Sequence, residues 1–226
     1  MSSLIPLTAA HDGFTFSALH APAQGIRRGG VIIIQEIFGL DRYVHEDVAR
    51  WSALGFEALA PSMFDRQEPG YTAGHDPDGF QTGVKYATAN GPDNAMGDIA
   101  ACVAHLAPRG PVFIVGYCYG GTMAWLAASR VAGLAAASSY YGGGVAGMAG
   151  LPLTCPVIVH LGRKDGHIPA DEVKAKVAAA HPDVPVHIYE GSGHGFNNDG
   201  VEAQDPADAA LARERTLALF RAHGAA

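Results

Sequence analysis

The sequence predicts an α/β protein, a mostly parallel sheet with helices on both faces. Three observations predict it. Strand-like and helix-like segments alternate along the 226 residues. The clearest strand-like run, Gly30-Val31-Ile32-Ile33-Ile34-Gln35, is apolar without alternation, as expected of a strand buried on both faces. Glycines and prolines stand where those runs have to stop, as Gly55, Pro61 and Gly142-Gly143-Gly144 do.

Residues 14–19 alternate and read as an antiparallel edge strand. Residues 30–35 are followed by a loop and then a helix over 42–54, with Val44, Val48 and Trp51 at helical spacing and Gly55 as C-cap. A strand over 56–60 ends at Pro61, and 62–77, rich in Pro, Gly and Asp, reads as a long surface excursion. Residues 94–106 form an amphipathic helix with Ile99, Val103 and Leu106 on one face. The central strand is 111–117, and a helix over 120–131 leaves it. Strands follow at 135–141, 156–161 and 184–189, with helices at 171–180 and 205–223. Neither a repeat nor a linker divides the chain, so residues 1–226 read as one domain.

Bulk properties exclude several classes of function. Hydrophobic residues make up 48% and charged residues 16%, which rules out a disordered chain. A formal net charge of −7 without a basic run disfavours nucleic acid and anionic membranes as partners. The first ten residues lack a basic region followed by an apolar core, and the longest apolar stretches are too short to span a bilayer. Cys102, Cys118 and Cys155 are odd in number and unpaired in spacing, as in a reducing compartment, so a cytoplasmic location is expected. No Cys/His cluster has zinc spacing, and no metal or other cofactor is expected. Gly142-Gly143-Gly144 lacks the partners of a phosphate loop and reads as a flexible loop beside the site.

The strongest local motif is Gly116-Tyr117-Cys118-Tyr119-Gly120-Gly121, between the central strand and its helix. It is a glycine-flanked nucleophile elbow with cysteine at the nucleophile position. A side chain held at so sharp a turn takes strained dihedrals, and glycines on either side remove Cβ atoms that would clash. The helix N-terminus behind the sulfur favours a negative charge there. Alone, the motif also fits a small buried cysteine in a tight turn. His194, in Gly191-Ser192-Gly193-His194-Gly195-Phe196, follows the last strand in a loop open enough to approach a nucleophile. Asp165, before Gly166, also follows a strand; in isolation it is an ordinary turn former. Order decides among these readings. Cys118, Asp165 and His194 come in the chain order of an α/β-hydrolase triad, each at the C-terminal end of a successive predicted strand. Glu36 ends the first buried strand at the same sheet edge, where either the thiol or a basic residue would partner it. The same turn places the Ile37 amide near the nucleophile, beside that of Tyr119, as an oxyanion hole.

These residues resemble the dienelactone hydrolase family, also called carboxymethylenebutenolidases, over residues 14–220. The resemblance rests on Gln35-Glu36-Ile37-Phe38-Gly39, Gly116-Tyr117-Cys118-Tyr119-Gly120-Gly121, Asp165 with Pro169, Gly193-His194-Gly195-Phe196, and Arg213-Glu214-Arg215-Thr216. It implies a triad of Cys118, His194 and Asp165, with Glu36 holding the resting thiol and releasing it as thiolate when substrate binds. It implies oxyanion donation by the Ile37 and Tyr119 amides, and water-dependent opening of an enol-lactone without metal or organic cofactor. One departure bears on substrate. The best-known members hold a substrate carboxylate with two arginines; this chain has Asn197 and Asn198 at one place, and at the other residues 78–89 offer Lys85 but no arginine. Lys85 and Asn198 are thus the candidate substrate contacts, and neither replaces a bidentate guanidinium. The expected partner is a small ester or lactone, acted on by a monomer. The alternatives are a carboxylesterase or thioesterase on the same scaffold, and a non-catalytic ligand-binding relative, against which an intact triad speaks.

Overall fold

The computed structural model describes residues 2–198 and 205–226. Eight strands form one sheet: β1 (Ser3–Thr8), β2 (Thr15–Ala21), β3 (Gly29–Ile34), β4 (Phe56–Pro61), β5 (Val112–Tyr117), β6 (Leu134–Tyr140), β7 (Val157–Gly162) and β8 (Val186–Tyr189). Their spatial order is β1-β2-β4-β3-β5-β6-β7-β8. From β4 to β8 every pairing is parallel, and β2 joins antiparallel to both β1 and β4. Residues 14–19 therefore contribute an inner strand, not the expected edge. The edge is β1, whose interior Pro6 is compatible with a strand that has a neighbour on one side.

The helices are α1 (Arg42–Ala53), α2 (Pro77–Leu106), α3 (Tyr119–Arg130), the single turn α4 (Val145–Met148), α5 (Ala170–Ala180) and α6 (Pro206–Ala222). α1 and α6 share one face, where Trp51 lies 5.7 Å from Phe220 and Phe220 stacks on Phe113 at 4.4 Å. α2 and α3 pack together over the sheet. Strands β3, β4, β5 and β7 are buried at every position, which is why their sequences, Glu57 and His160 excepted, are apolar without alternation. Among the described residues, no helix is long and apolar enough to cross a membrane.

Two segments differ from expectation. α2 begins at Pro77, and left-handed Gly91 (φ 67°) before Pro92 breaks it into two lengths. The sequence shows only the second, because Gly79 and Gly83 lower the helical signal of the first. Residues 62–76 are only in part the expected surface excursion: residues 68–70, 72 and 74–76 are exposed, whereas Met63, Phe64 and Tyr71 are buried. Asp65 holds this segment, accepting hydrogen bonds from Ser62 Oγ (2.5 Å), Ser17 N (2.7 Å) and Gly70 N (2.9 Å). A buried polar cluster docks α6: Thr216 Oγ1 meets Ser138, Tyr140 and His160 at 2.9, 3.0 and 3.1 Å. Burial lowers the His160 pKa, so the ring serves there as a neutral hydrogen-bonding group.

Candidate active site

The C-terminal ends of β3, β5, β7 and β8 meet at one cavity of about 560 Å³. Cys118 sits between β5 and α3 with φ 54° and ψ −111°, a strained geometry for a residue with a side chain. Its amide donates to the Tyr140 carbonyl at 3.0 Å, and the Gly120 amide donates to the Gln35 carbonyl at 3.1 Å. A Cβ at Gly116 would run into the Gly120 carbonyl, and one at Gly120 into that of Ile34. The two glycines allow β3, the elbow and α3 to approach closely enough to fix the sulfur.

Asp165 and His194, on the loops after β7 and β8, meet with Asp165 Oδ2 2.7 Å from His194 Nδ1. Asp165 Oδ1 accepts the His167 and Ile168 amides at 2.8 and 3.2 Å. Burial opposes the Asp165 charge, but His194 and the two amides outweigh it and hold the carboxyl below its usual range. Burial likewise opposes a charged His194, yet Asp165 and Cys118 push the ring up to about 10. This environment favours the charged form of the His194 ring.

Glu36, at the end of β3, is 5% exposed. Burial raises its pKa, while His194, His75 and a 3.3 Å bond from Asn198 Nδ2 pull it back. Gln35 fastens the turn beside it, donating to the Glu36 carbonyl at 3.1 Å and accepting the Met63 amide at 3.2 Å. Glu36, Ile37, Cys118, Tyr119 and His194 all line the cavity. The structure brings these predicted residues together, with Asp165 directly behind His194.

The two expected substrate contacts lie elsewhere. Lys85 is exposed on α2, with Nζ 6.0 Å from the Tyr86 ring centroid, and does not line the cavity. Phe80 and Val84, four residues apart, occupy the helix face toward the cavity, and Lys85 lies about 100° further round. Asn198 is buried and turned inward onto Glu36, so it supports the carboxylate rather than lining the cavity. Its neighbour Asn197 donates to the Tyr43 hydroxyl.

Sequence reasoning missed Phe38, His75, His167 and Ile168 on the cavity wall. The Gly39–Thr72 bridge and the bond from the Ala73 amide to the Phe38 carbonyl (2.9 Å) place His75 against Phe38, with ring centroids 3.9 Å apart. No local pattern announces this. Phe80 and Val84 were legible in principle as an apolar pair at helical spacing.

Among the described residues, one cluster has metal-ligand geometry: His20, Glu57 and His105, at the opposite edge of the sheet. Glu57 already pairs with Arg27 at 2.8 Å and Arg109 at 2.9 Å, and two guanidinium charges make this a poor place for a cation.

The model of the dienelactone hydrolase family matches residues 16–224. The chain belongs to that family. It is 34% identical to a "Putative carboxymethylenebutenolidase" of Azospirillum brasilense, over 97% of this chain and 98% of the relative. It is 32% identical to the carboxymethylenebutenolidase of Pseudomonas putida, over 92% of each chain. The crystal structure of a "Putative Dienelactone Hydrolase" from Klebsiella pneumoniae superposes with a TM-score of 0.82 at 26% identity, covering 97% of this chain and 99% of that one. The α/β-hydrolase architecture of this dienelactone hydrolase relative thus follows from sequence and fold together.

Proposed function

We propose that this protein is a cysteine-dependent hydrolase of lactones or carboxylic esters that works through an acyl-enzyme on Cys118. One observation carries the reading. A cysteine strained at a strand–helix elbow shares its cavity with a histidine whose Nδ1 is held by a buried aspartate at 2.7 Å.

In the first step Cys118 Sγ attacks the substrate carbonyl, and the Ile37 and Tyr119 amides take the charge that develops on oxygen. Collapse breaks the carbonyl–oxygen bond, and the departing alkoxide or enolate takes a proton from the imidazolium of His194. Water, giving a proton back to His194, then attacks the thioester and releases the carboxylic acid and the free thiol. With a lactone both product groups remain on one molecule. Asp165 keeps the His194 proton on Nδ1 and stabilises the charged ring. Glu36 holds the resting thiol, takes its proton when substrate arrives, and returns it to the sulfur when the acyl group leaves.

The cavity wall supports a substrate without a carboxylate. Phe38, Phe80, Val84 and Ile168 dominate it, and among the described residues no arginine or lysine lines it. The carboxymethylenebutenolidase names of the relatives support lactone opening, and the apolar wall extends the reading to neutral alkyl and aryl esters. The protein would act in the cytosol as a monomer of one domain, without metal or organic cofactor. A screen of lactones, aryl esters and thioesters, with Cys118→Ser as control, tests the proposal. The expected result is turnover of neutral lactones and aryl esters, reduced to a small residue in the variant. Equal turnover by the variant would overturn it.

A further inference from the structure

Most polar side chains on the cavity wall are already engaged. Glu36, Cys118 and His194 belong to the proposed chemistry. Thr122 Oγ1 accepts the Gly144 amide at 3.0 Å, and the Tyr119 hydroxyl is buried. His167 stands exposed, and among the described residues no hydrogen bond holds its ring. His75 differs from all of these. Its Nε2 lies 2.8 Å from Asp41 Oδ2, and its ring stacks on Phe38 with centroids 3.9 Å apart and an interplanar angle of 21°. Asp41 is itself fixed, because its Oδ1 accepts the Val44 amide at 3.0 Å as the N-cap of α1. The imidazole is thus gripped on one edge and one face, and the acylation and hydrolysis steps give it no task.

The bond to Asp41 settles the chemistry of the ring. A carboxylate only accepts, so the proton at this contact belongs to Nε2, and in the neutral ring Nδ1 carries a lone pair. No hydrogen bond among the described residues uses Nδ1. His75 lines the cavity and Asp41 does not, so Nε2 is spent on the protein and Nδ1 is left for the cavity's occupant. The catalytic pair is the reverse case, with Asp165 on Nδ1 of His194. Phe38, Phe80 and Val84 share the wall with His75. A fixed acceptor on such a wall discriminates strongly, because a ligand without a matching donor leaves it unpaired.

We propose that His75 is a specificity-determining residue whose Nδ1 accepts a hydrogen bond from a hydroxyl group of the substrate, with Asp41 as its positioning residue. The substrate class is then a neutral lactone or ester that carries an alcohol or phenol away from the bond to be broken. No bond is made or broken at His75. The inference rests on the reading of this cavity as the site of lactone or ester hydrolysis.

The test measures kcat/KM at pH 8 for γ-butyrolactone and its α-hydroxy and β-hydroxy derivatives, and for phenyl acetate and 3-hydroxyphenyl acetate. Wild type is compared with His75→Phe and His75→Gln. Phenylalanine keeps the stack on Phe38; glutamine keeps an N–H for Asp41 but has no polar atom at the Nδ1 position. Comparing each variant with wild type cancels the intrinsic reactivity of the substrates. For at least one hydroxylated compound, kcat/KM relative to its parent should fall about fivefold to tenfold in both variants. Calorimetric titration of that compound into Cys118→Ala, with and without His75→Phe, should show binding weakened by a similar factor. Ratios that stay at the wild-type value in both variants would overturn the role of His75, also where both members of a pair slow together, which is the mark of a purely structural residue. Full turnover by Cys118→Ala would overturn the proposed nucleophile instead, and the ratios in the His75 variants would still decide the role of His75.

Discussion

Replacing Asp165 by asparagine should lower kcat/KM by about 10² to 10⁴, the upper figure being the effect of this change in a serine protease triad. The geometry shows why. One Asp165 oxygen accepts from His194 and the other accepts two backbone amides. Asparagine has a single acceptor oxygen. If it satisfies the amides, its NH₂ group faces His194 Nδ1, and the ring proton must sit on Nε2, which then cannot accept one from the attacking water. The charge effect points the same way. Raising His194 from 6.5 to about 10 corresponds to ~5 kcal/mol at ~1.4 kcal/mol per pH unit, shared between Asp165 and Cys118. Half of that is about two decades in rate. The assay is kcat/KM for p-nitrophenyl acetate and a neutral γ-lactone from pH 5 to 10, with melting temperature alongside. Asp165, held below its ordinary 3.8, stabilises the fold above that pH, and its contribution is lost as pH falls through the lowered value. His194, raised above 6.5, contributes fully below that pH, and the contribution is lost as pH rises through about 10. The variant should therefore lose most stability near pH 5 to 6 and least at pH 10. Unchanged turnover and an unchanged pH dependence of melting would refute the assignment of Asp165.

Two further outcomes follow from the cavity wall. A Cβ on Gly83 would collide with the Ile37 carbonyl, so Gly83→Ala should displace the segment bearing the proposed oxyanion amide. We expect about 1–3 kcal/mol of lost stability and about a tenfold fall in kcat, with Gly147→Ala, which meets no atom within 4 Å, as the silent control. Because no arginine or lysine among the described residues lines the cavity, an acidic lactone should be preferred to its neutral methyl ester by less than about tenfold, and Lys85→Ala should not alter the ratio. A hundredfold preference in steady-state kinetics would show that a cation reaches the substrate after all.

Much of this architecture was legible because single physical causes wrote it. β3 and β5 read as buried strands because both faces are covered, and contiguous isoleucine and valine satisfy both. The elbow read because close approach of three backbones admits only glycine at 116 and 120. Asp165 and His194 read through chain order, although neither motif is distinctive alone. What stayed hidden depends on contacts distant in sequence. β1 carries a proline and pairs only at an edge. The first half of α2 is obscured by Gly79 and Gly83, the residues that let it approach the Gly74 and Ile37 carbonyls. Residues 62–76 have a loop composition, yet Asp65 turns them inward and buries Phe64 and Tyr71. Asn198 occupies a position where the family resemblance places a substrate contact, but its amide faces Glu36.

The central claim is that Cys118 carries the acyl group. Acid quenching of the enzyme during turnover of p-nitrophenyl acetate, followed by intact-mass and peptide mass spectrometry, tests it directly. The account predicts a mass increase of one acetyl group on the peptide containing Cys118, absent in Cys118→Ala, which should also have lost turnover. Full turnover by Cys118→Ala, or an acetyl group located on another residue, would contradict it.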